Sequence, residues 1–103
     1  VDGPVVRKGT GGEDGYSGFS VRDPESGDVA RTELEGVLHD HRVSRAVVVG
    51  LAQDVCVKET VLDAQRLGFS SVVIADATRP VDLTQGDGQR ALLQMTTAGA
   101  VVI

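Results

Sequence analysis

A chain of 103 residues holds one domain or part of one. Its 41% hydrophobic and 24% charged residues fit a globular α/β chain, and a net charge of −5 argues against nucleic acid or an anionic membrane surface as partner. A single cysteine forms no internal disulfide, no apolar run reaches membrane-spanning length and no signal-peptide pattern is present, so a cytoplasmic location is expected. Only 3% of residues are aromatic and none is Trp, so the core must be built from Val, Leu, Ile and Ala. The first residue is Val1 and a strand pattern follows almost at once, which predicts a piece of something longer.

In chain order, Pro4–Arg7 is a short strand candidate. Lys8–Gly18 is a loop with five glycines in its eleven residues. Phe19–Val29 reads as irregular, with a turn over Asp23–Gly27. Thr32 and Glu35 have capping-box spacing, and Leu34, Val37, Leu38 and His41 then recur at helical intervals, so a helix is predicted to about Arg42. Ala46–Val49 is an unbroken apolar run, the mark of a buried parallel strand, and Gly50 ends it. After Leu51–Gln53, Asp54 is a good N-cap for a helix that Gly68 stops; it is most simply a cap, and the alternative is that it orients a neighbouring backbone. Ser71–Ala75 is the next strand, Asp76–Asp87 a polar connection, Gln89–Ala98 a helix with Leu92, Leu93 and Met95 as its apolar face, and Val101–Ile103 a last strand. Alternating strands and helices imply parallel strands with right-handed crossovers, hence a three-layer α/β/α sandwich of Rossmann-like type. Residues 1–103 are read as a single partial domain.

The only cysteine, Cys56, falls in the first turn of the helix that follows the central strand. A helix start offers unpaired N–H groups and a partial positive charge, the setting that stabilises a thiolate nucleophile. The carboxyl end of a parallel strand is also where open α/β sheets place their chemistry. The bland alternative is a small buried apolar residue. Lys8 ends the first strand candidate, and all parallel strands share one carboxyl edge, so Lys8 and Cys56 can meet there; the alternative is a solvated surface lysine. The Gly-rich loop lacks both the dinucleotide spacing and a Walker A pattern, so it is a weak phosphate cradle. His39 and His41 stand two apart on a helix and point to different faces, which does not suit a metal site.

The stretches Val6–Gly9, Asp14–Phe19, Gly50–Val57, Leu62–Ala64 and Asp76–Thr78 together resemble the nicotinamidase and pyrazinamidase branch of the isochorismatase-like cysteine hydrolases, over essentially the whole chain. The resemblance implies an isochorismatase-like α/β/α fold that is incomplete in its N-terminal half. It implies a Cys–Asp–Lys triad in which Cys56 is the nucleophile and Lys8 the lysine. It further implies an oxyanion hole from the backbone N–H groups of Ala52 and Cys56, a cis peptide between Leu51 and Ala52, and Tyr16 and Phe19 at or near the substrate pocket.

By the same resemblance the reaction is conversion of nicotinamide to nicotinic acid and ammonia through a cysteine thioester. The partner is a small-molecule amide, with homo-oligomerisation left open. The family uses a divalent metal (zinc, iron or manganese), whose ligands are absent from this chain. The sequence departs from the family pattern in three ways. The triad aspartate and an Asp-x-His metal motif belong to the family's N-terminal half and match nothing here, the family's first strand would lie beside the strand at 46–49, and Gln53 replaces a common Thr. The 103 residues alone are therefore expected to be inactive. Two other readings stand beside this one: a relative acting on another small amide or on isochorismate, and a non-catalytic α/β interaction module if the chain is complete as given.

Overall fold

The structure, a computed structural model, describes residues 3–103. Its centre is a parallel sheet of β3 (Arg45–Leu51), β4 (Ser70–Arg79) and β5 (Val101–Val102), in the spatial order β3-β4-β5. Val48, Val73 and Val102 lie in one row across the sheet, and Val47, Val72 and Val101 in the next. Successive side chains on a strand alternate between faces, so these two rows face opposite ways. The first face is covered by α2 (Lys58–Arg66) and α3 (Asp87–Thr97). There Val57, Val61, Val73, Ala91, Met95 and Ala100 form the core, with Val48, Leu92 and Val102 packed at its edge. Full burial of a Val or Met is worth about 1.5–3 kcal/mol relative to exposure, so this layer carries much of the sheet's stability. On the second face Val47, Val49, Leu51, Val101 and Ile103 are exposed. The described residues thus supply two layers of an α/β sandwich.

A hairpin of β1 (Ser20–Arg22) and β2 (Val29–Arg31) and the short helix α1 (Leu34–Asp40) precede the sheet. They pack on the other side of α2, in a second core of Phe19, Ala64 and Phe69 with Leu34, Leu38 and Leu67. Gly68 and Gly99 end α2 and α3 at positive φ, and the amides that follow fold back, Phe69 N–H onto Ala64 and Ala100 N–H onto Met95.

Several expectations are corrected. Pro4–Arg7 joins no ladder, because no strand of the described residues runs beside it. The stretch from Phe19 contains a hairpin rather than irregular chain, closed by the expected turn, in which the Asp23 carboxylate accepts the N–H groups of Glu25 and Ser26. Those bonds, Ser26 first, hold the Asp23 carboxyl below its usual range. The capping box does not form: Thr32 Oγ1 accepts from Leu34 N–H, but Glu35 turns to Arg31 at 2.5 Å. Asp54 is not an N-cap, since the turn starts after Ala52 and Asp54 lies inside it. The strand expected over Ser71–Ala75 runs on to Arg79, and Leu93 is exposed while Ala91 takes its expected place in the core.

One irregularity serves the site. Val48 pairs with Val73, but Gly50 pairs with Thr78, so β4 inserts extra residues between the two pairs. Gly50 sits at φ +109°, where a side chain would be strained, and lets β3 turn at that point. The end of β4 is thereby brought beside the turn that carries Cys56.

Candidate active site

Between β3 and α2 the chain forms one π-wound turn, Gln53–Val57, entered through a cis peptide at Leu51–Ala52. In an α-helix begun at Ala52, the Cys56 N–H would donate to the Ala52 carbonyl. Here that carbonyl accepts from Val55 N–H (3.1 Å) and Val57 N–H (2.9 Å) instead. The wider winding therefore releases the Cys56 N–H from the Ala52 carbonyl, at the positive end of the helix. Cys56 itself is half-buried and forms no disulfide.

Lys8 arrives from the other side. Its Nζ lies 3.7 Å from Cys56 Sγ and also donates to the Gly15 carbonyl. The second contact closes the Gly-rich loop on itself. A Cβ on Gly15 would stand 2.8 Å from the Gly9 nitrogen, so only glycine allows the two strands of the loop so close. Tyr16 follows, 52% exposed, on a separate cavity of roughly 310 Å³ lined also by Ser20, Arg22, Glu59, Asp63 and Arg66. Phe19 is 2% exposed, stacked on Phe69 at 5.8 Å in the second core. The structure thus brings together Lys8, Ala52 and Cys56 and sets Tyr16 and Phe19 along the flank of α2.

Sequence reasoning missed the polar network behind the turn. Gln53 is 6% exposed, and its Nε2 donates to Thr78 Oγ1 at 2.7 Å, which donates on to the Ala75 carbonyl at 2.8 Å. Asp54 is 8% exposed, and its two carboxylate oxygens accept the N–H groups of Val81 (2.9 Å) and Asp82 (2.8 Å). The Val81 bond, helped by that of Asp82 and opposed by burial, holds the Asp54 carboxyl below its usual range. The signal in the sequence is a polar pair, Gln53 and Asp54, directly after an apolar strand.

Among the described residues no three His, Cys, Asp or Glu side chains converge as metal ligands. His39 lies beside Glu35 and Phe69, and His41 Nδ1 beside the Val37 carbonyl. The residues present do not fit a metal, and no chemical step is derived through one. No helix of the described residues is long and apolar enough to cross a membrane.

Residues 10–103 match the Isochorismatase domain. The chain belongs to the isochorismatase family. It is 40% identical over 89 residues to the nicotinamidase of Escherichia coli K12, a match covering 86% of this chain and 40% of that protein. Among solved structures, PnC1 from L. infantum in complex with nicotinate is 34% identical with a TM-score of 0.76, covering 88% of this chain and 42% of its own. A pyrazinamidase of Pyrococcus horikoshii in complex with zinc is 31% identical with a TM-score of 0.72, covering 88% of this chain and 44% of its own. The chain spans about 40% of the length of the curated nicotinamidases from E. coli and Acinetobacter baylyi. The match to the family begins two residues after Lys8, so the pairing of Lys8 with Cys56 is an observation made on this chain's own geometry.

Proposed function

We propose that this chain carries the nucleophile and the cation of a cysteine amidohydrolase that converts nicotinamide to nicotinic acid and ammonia. The observation that carries the reading is the ammonium of Lys8 at 3.7 Å from the Cys56 thiol on a helix-start turn, in a family whose relatives here are nicotinamidases. An adjacent cation and a helix N-terminus both stabilise negative charge on sulfur. The Cys56 thiolate attacks the carboxamide carbon, and the carbonyl electrons move onto oxygen. The N–H groups of Ala52 and Cys56 hold that oxyanion; one such donor is typically worth about 2.7–4 kcal/mol in acyl transfer. Collapse breaks the C–N bond. The nitrogen leaves as ammonia with the proton that Cys56 gave up, and water then cleaves the thioester, returning the thiol and releasing the acid. The carboxylate that moves these protons in the family's triad matches no residue here, so the 103 residues alone are expected to release no ammonia. A cytoplasmic setting belongs to the same reading, supported by the acidic balance and the single cysteine.

The test is ammonia release by the intact protein from a panel of nicotinamide, pyrazinamide and other small amides, with isochorismate hydrolysis followed separately. Nicotinamide is expected to be turned over, and Cys56→Ala to lower kcat by about 10⁴-fold or more. Trapping in acid should show the nicotinoyl adduct on Cys56. A parent protein inert toward every amide, or a Cys56→Ala variant with parental turnover, would overturn the reading.

A further inference from the structure

Asp54 is a buried carboxylate whose role is not explained by the reaction. Among the described residues no cation pairs with it within 4 Å, so its charge is met by two backbone N–H groups, one on each oxygen. Burying an unpaired carboxylate is costly, and two charge-assisted bonds are what offset it. A helix cap would need no such arrangement, because a serine or threonine suffices there. What the bonds join is informative: Asp54 lies two residues before Cys56 in the π turn, and Val81 and Asp82 lie in the connection between β4 and α3.

That connection is itself fixed. Asp82 holds a positive φ of 53°, and its Oδ1 accepts the Gly88 N–H at 2.8 Å, tying the connection to the first turn of α3. A Cβ on Gly88 would meet Gln53 Oε1 and Pro80 Cβ, each at 2.8 Å, so the glycine lets the Gln53 amide lie against the start of α3. Two buried side chains, Gln53 and Asp54, thus anchor the nucleophile turn to elements that follow it by 25 residues and more.

We propose that Asp54 is a positioning residue for Cys56: by clasping the Val81 and Asp82 N–H groups it holds the π winding of the turn, and with it the thiol and the Cys56 N–H. This rests on the reading of Cys56 as the nucleophile. In the intact protein, Asp54→Asn keeps size but offers one acceptor and turns an NH₂ donor toward the other N–H. The turn should shift, and shifts of the order of 1 Å at reacting atoms cost about 10²-fold. We expect kcat for nicotinamide to fall by roughly 10- to 100-fold with KM within threefold. Alkylation of Cys56 by iodoacetamide should slow by about tenfold, and Asp54→Glu should recover part of both losses.

A merely structural role would lower the melting temperature and leave the alkylation rate of the folded protein unchanged. A folded Asp54→Asn variant with kcat and alkylation within twofold of the parent overturns the proposal, as does one that alkylates faster. Asp82→Gly supplies a second arm that leaves the nucleophile turn untouched. It suits the positive φ and keeps the N–H that Asp54 accepts, but it deletes the acceptor of Gly88. Its alkylation should slow by about two- to fivefold. Should Asp54→Asn not fold, a parental alkylation rate in Asp82→Gly overturns the proposal. Absence of amide hydrolysis in the parent would sink the functional reading, and alkylation would still report on the clasp.

Discussion

The two stretches that meet at the Lys8–Cys56 pair are held by different means. The Cys56 turn has Gln53, Asp54 and Val57 buried, and its polar side chains are bonded to β4 and to the connection beyond it. From Gly3 to Tyr16, on the Lys8 side, no residue is buried. That side is fastened by the two backbone bonds between Asp14 and Arg22, by an exposed Glu13 carboxylate that accepts from Gly11 N–H, and by Lys8's own bond to Gly15. The sulfur is thus placed by a rigid scaffold, while the ammonium is placed by a loop that folds around the lysine itself. Substitutions on the first side should act through geometry, and on the second chiefly through charge.

Lys8→Met is the strongest test of that contrast. Methionine keeps the stem but not the charge, so packing loss is small. In the intact protein kcat should fall by about 10²-fold or more, with a smaller change in KM, because the charge matters most as sulfur becomes anionic. Lys8→Arg should recover only part, since the planar guanidinium is larger than the ammonium it replaces. Steady-state kinetics within a few-fold of the parent would make Lys8 an ordinary surface lysine. A smaller effect is expected from Gly15→Ala. Its Cβ would press on backbone only, 2.8 Å from Gly9 N and 3.1 Å from the Lys8 carbonyl carbon, so the loop must open. The ammonium survives but moves, and a fall in kcat of about tenfold is expected. Parental kcat in Gly15→Ala would show that the loop yields without carrying Lys8 away.

The same contrast governs what could be read from the sequence. Ala46–Val49 announced its strand by an unbroken apolar run, but the burial expected of it holds on one face only, since Val48 packs at the core edge while Val47 and Val49 are exposed. Gly68 and Gly99 announced their helix ends because positive φ favours glycine. Cys56 was legible as a candidate because the carboxyl end of a parallel strand is where such sheets place their chemistry. Lys8 was expected at the end of a strand that does not form, and it reaches Cys56 from a loop instead. The hairpin was not legible: β1 and β2 are three residues each and largely exposed, so no alternation marks them. Pro4–Arg7 has strand composition, but composition supplies no neighbour, and pairing is a tertiary property. Of the two readings of Asp54, the cap fails and the backbone contact holds, with partners that the sequence does not name. Aspartate before a helix is the local signature of a cap, whereas its actual partners, Val81 and Asp82, lie far along the chain. Tyr16 and Phe19 stand three apart in one motif, yet one is surface and the other core, a division that only packing around α2 decides.

The smallest effect expected is in acid, and it isolates the clasp from the rest of the molecule. The folded Asp54 carboxyl titrates below its ordinary value of 3.8, chiefly through the Val81 N–H bond. A carboxyl lowered on folding adds stability that is fully present above the unfolded value and is lost as pH falls through the folded one. The same sign holds for Asp87, lowered first by the Thr84 N–H and then by Arg90, and for Asp23. All three contribute to acid sensitivity of the parent, but only the Asp54 share is missing from Asp54→Asn. The difference in melting temperature between parent and variant should therefore be constant from pH 7 to about 5, and narrow as pH drops below the ordinary aspartate range. The Asp23 contribution cancels in that difference, whereas Asp87, whose negative charge opposes ionisation of Asp54, remains in both proteins but is relieved of that repulsion in the variant. Melting curves at pH 6 and pH 3 in one ionic strength suffice. A gap of the same size at both would mean that ionisation of Asp54 adds nothing to the clasp, and that the loss in the variant comes from hydrogen-bond geometry and packing rather than charge.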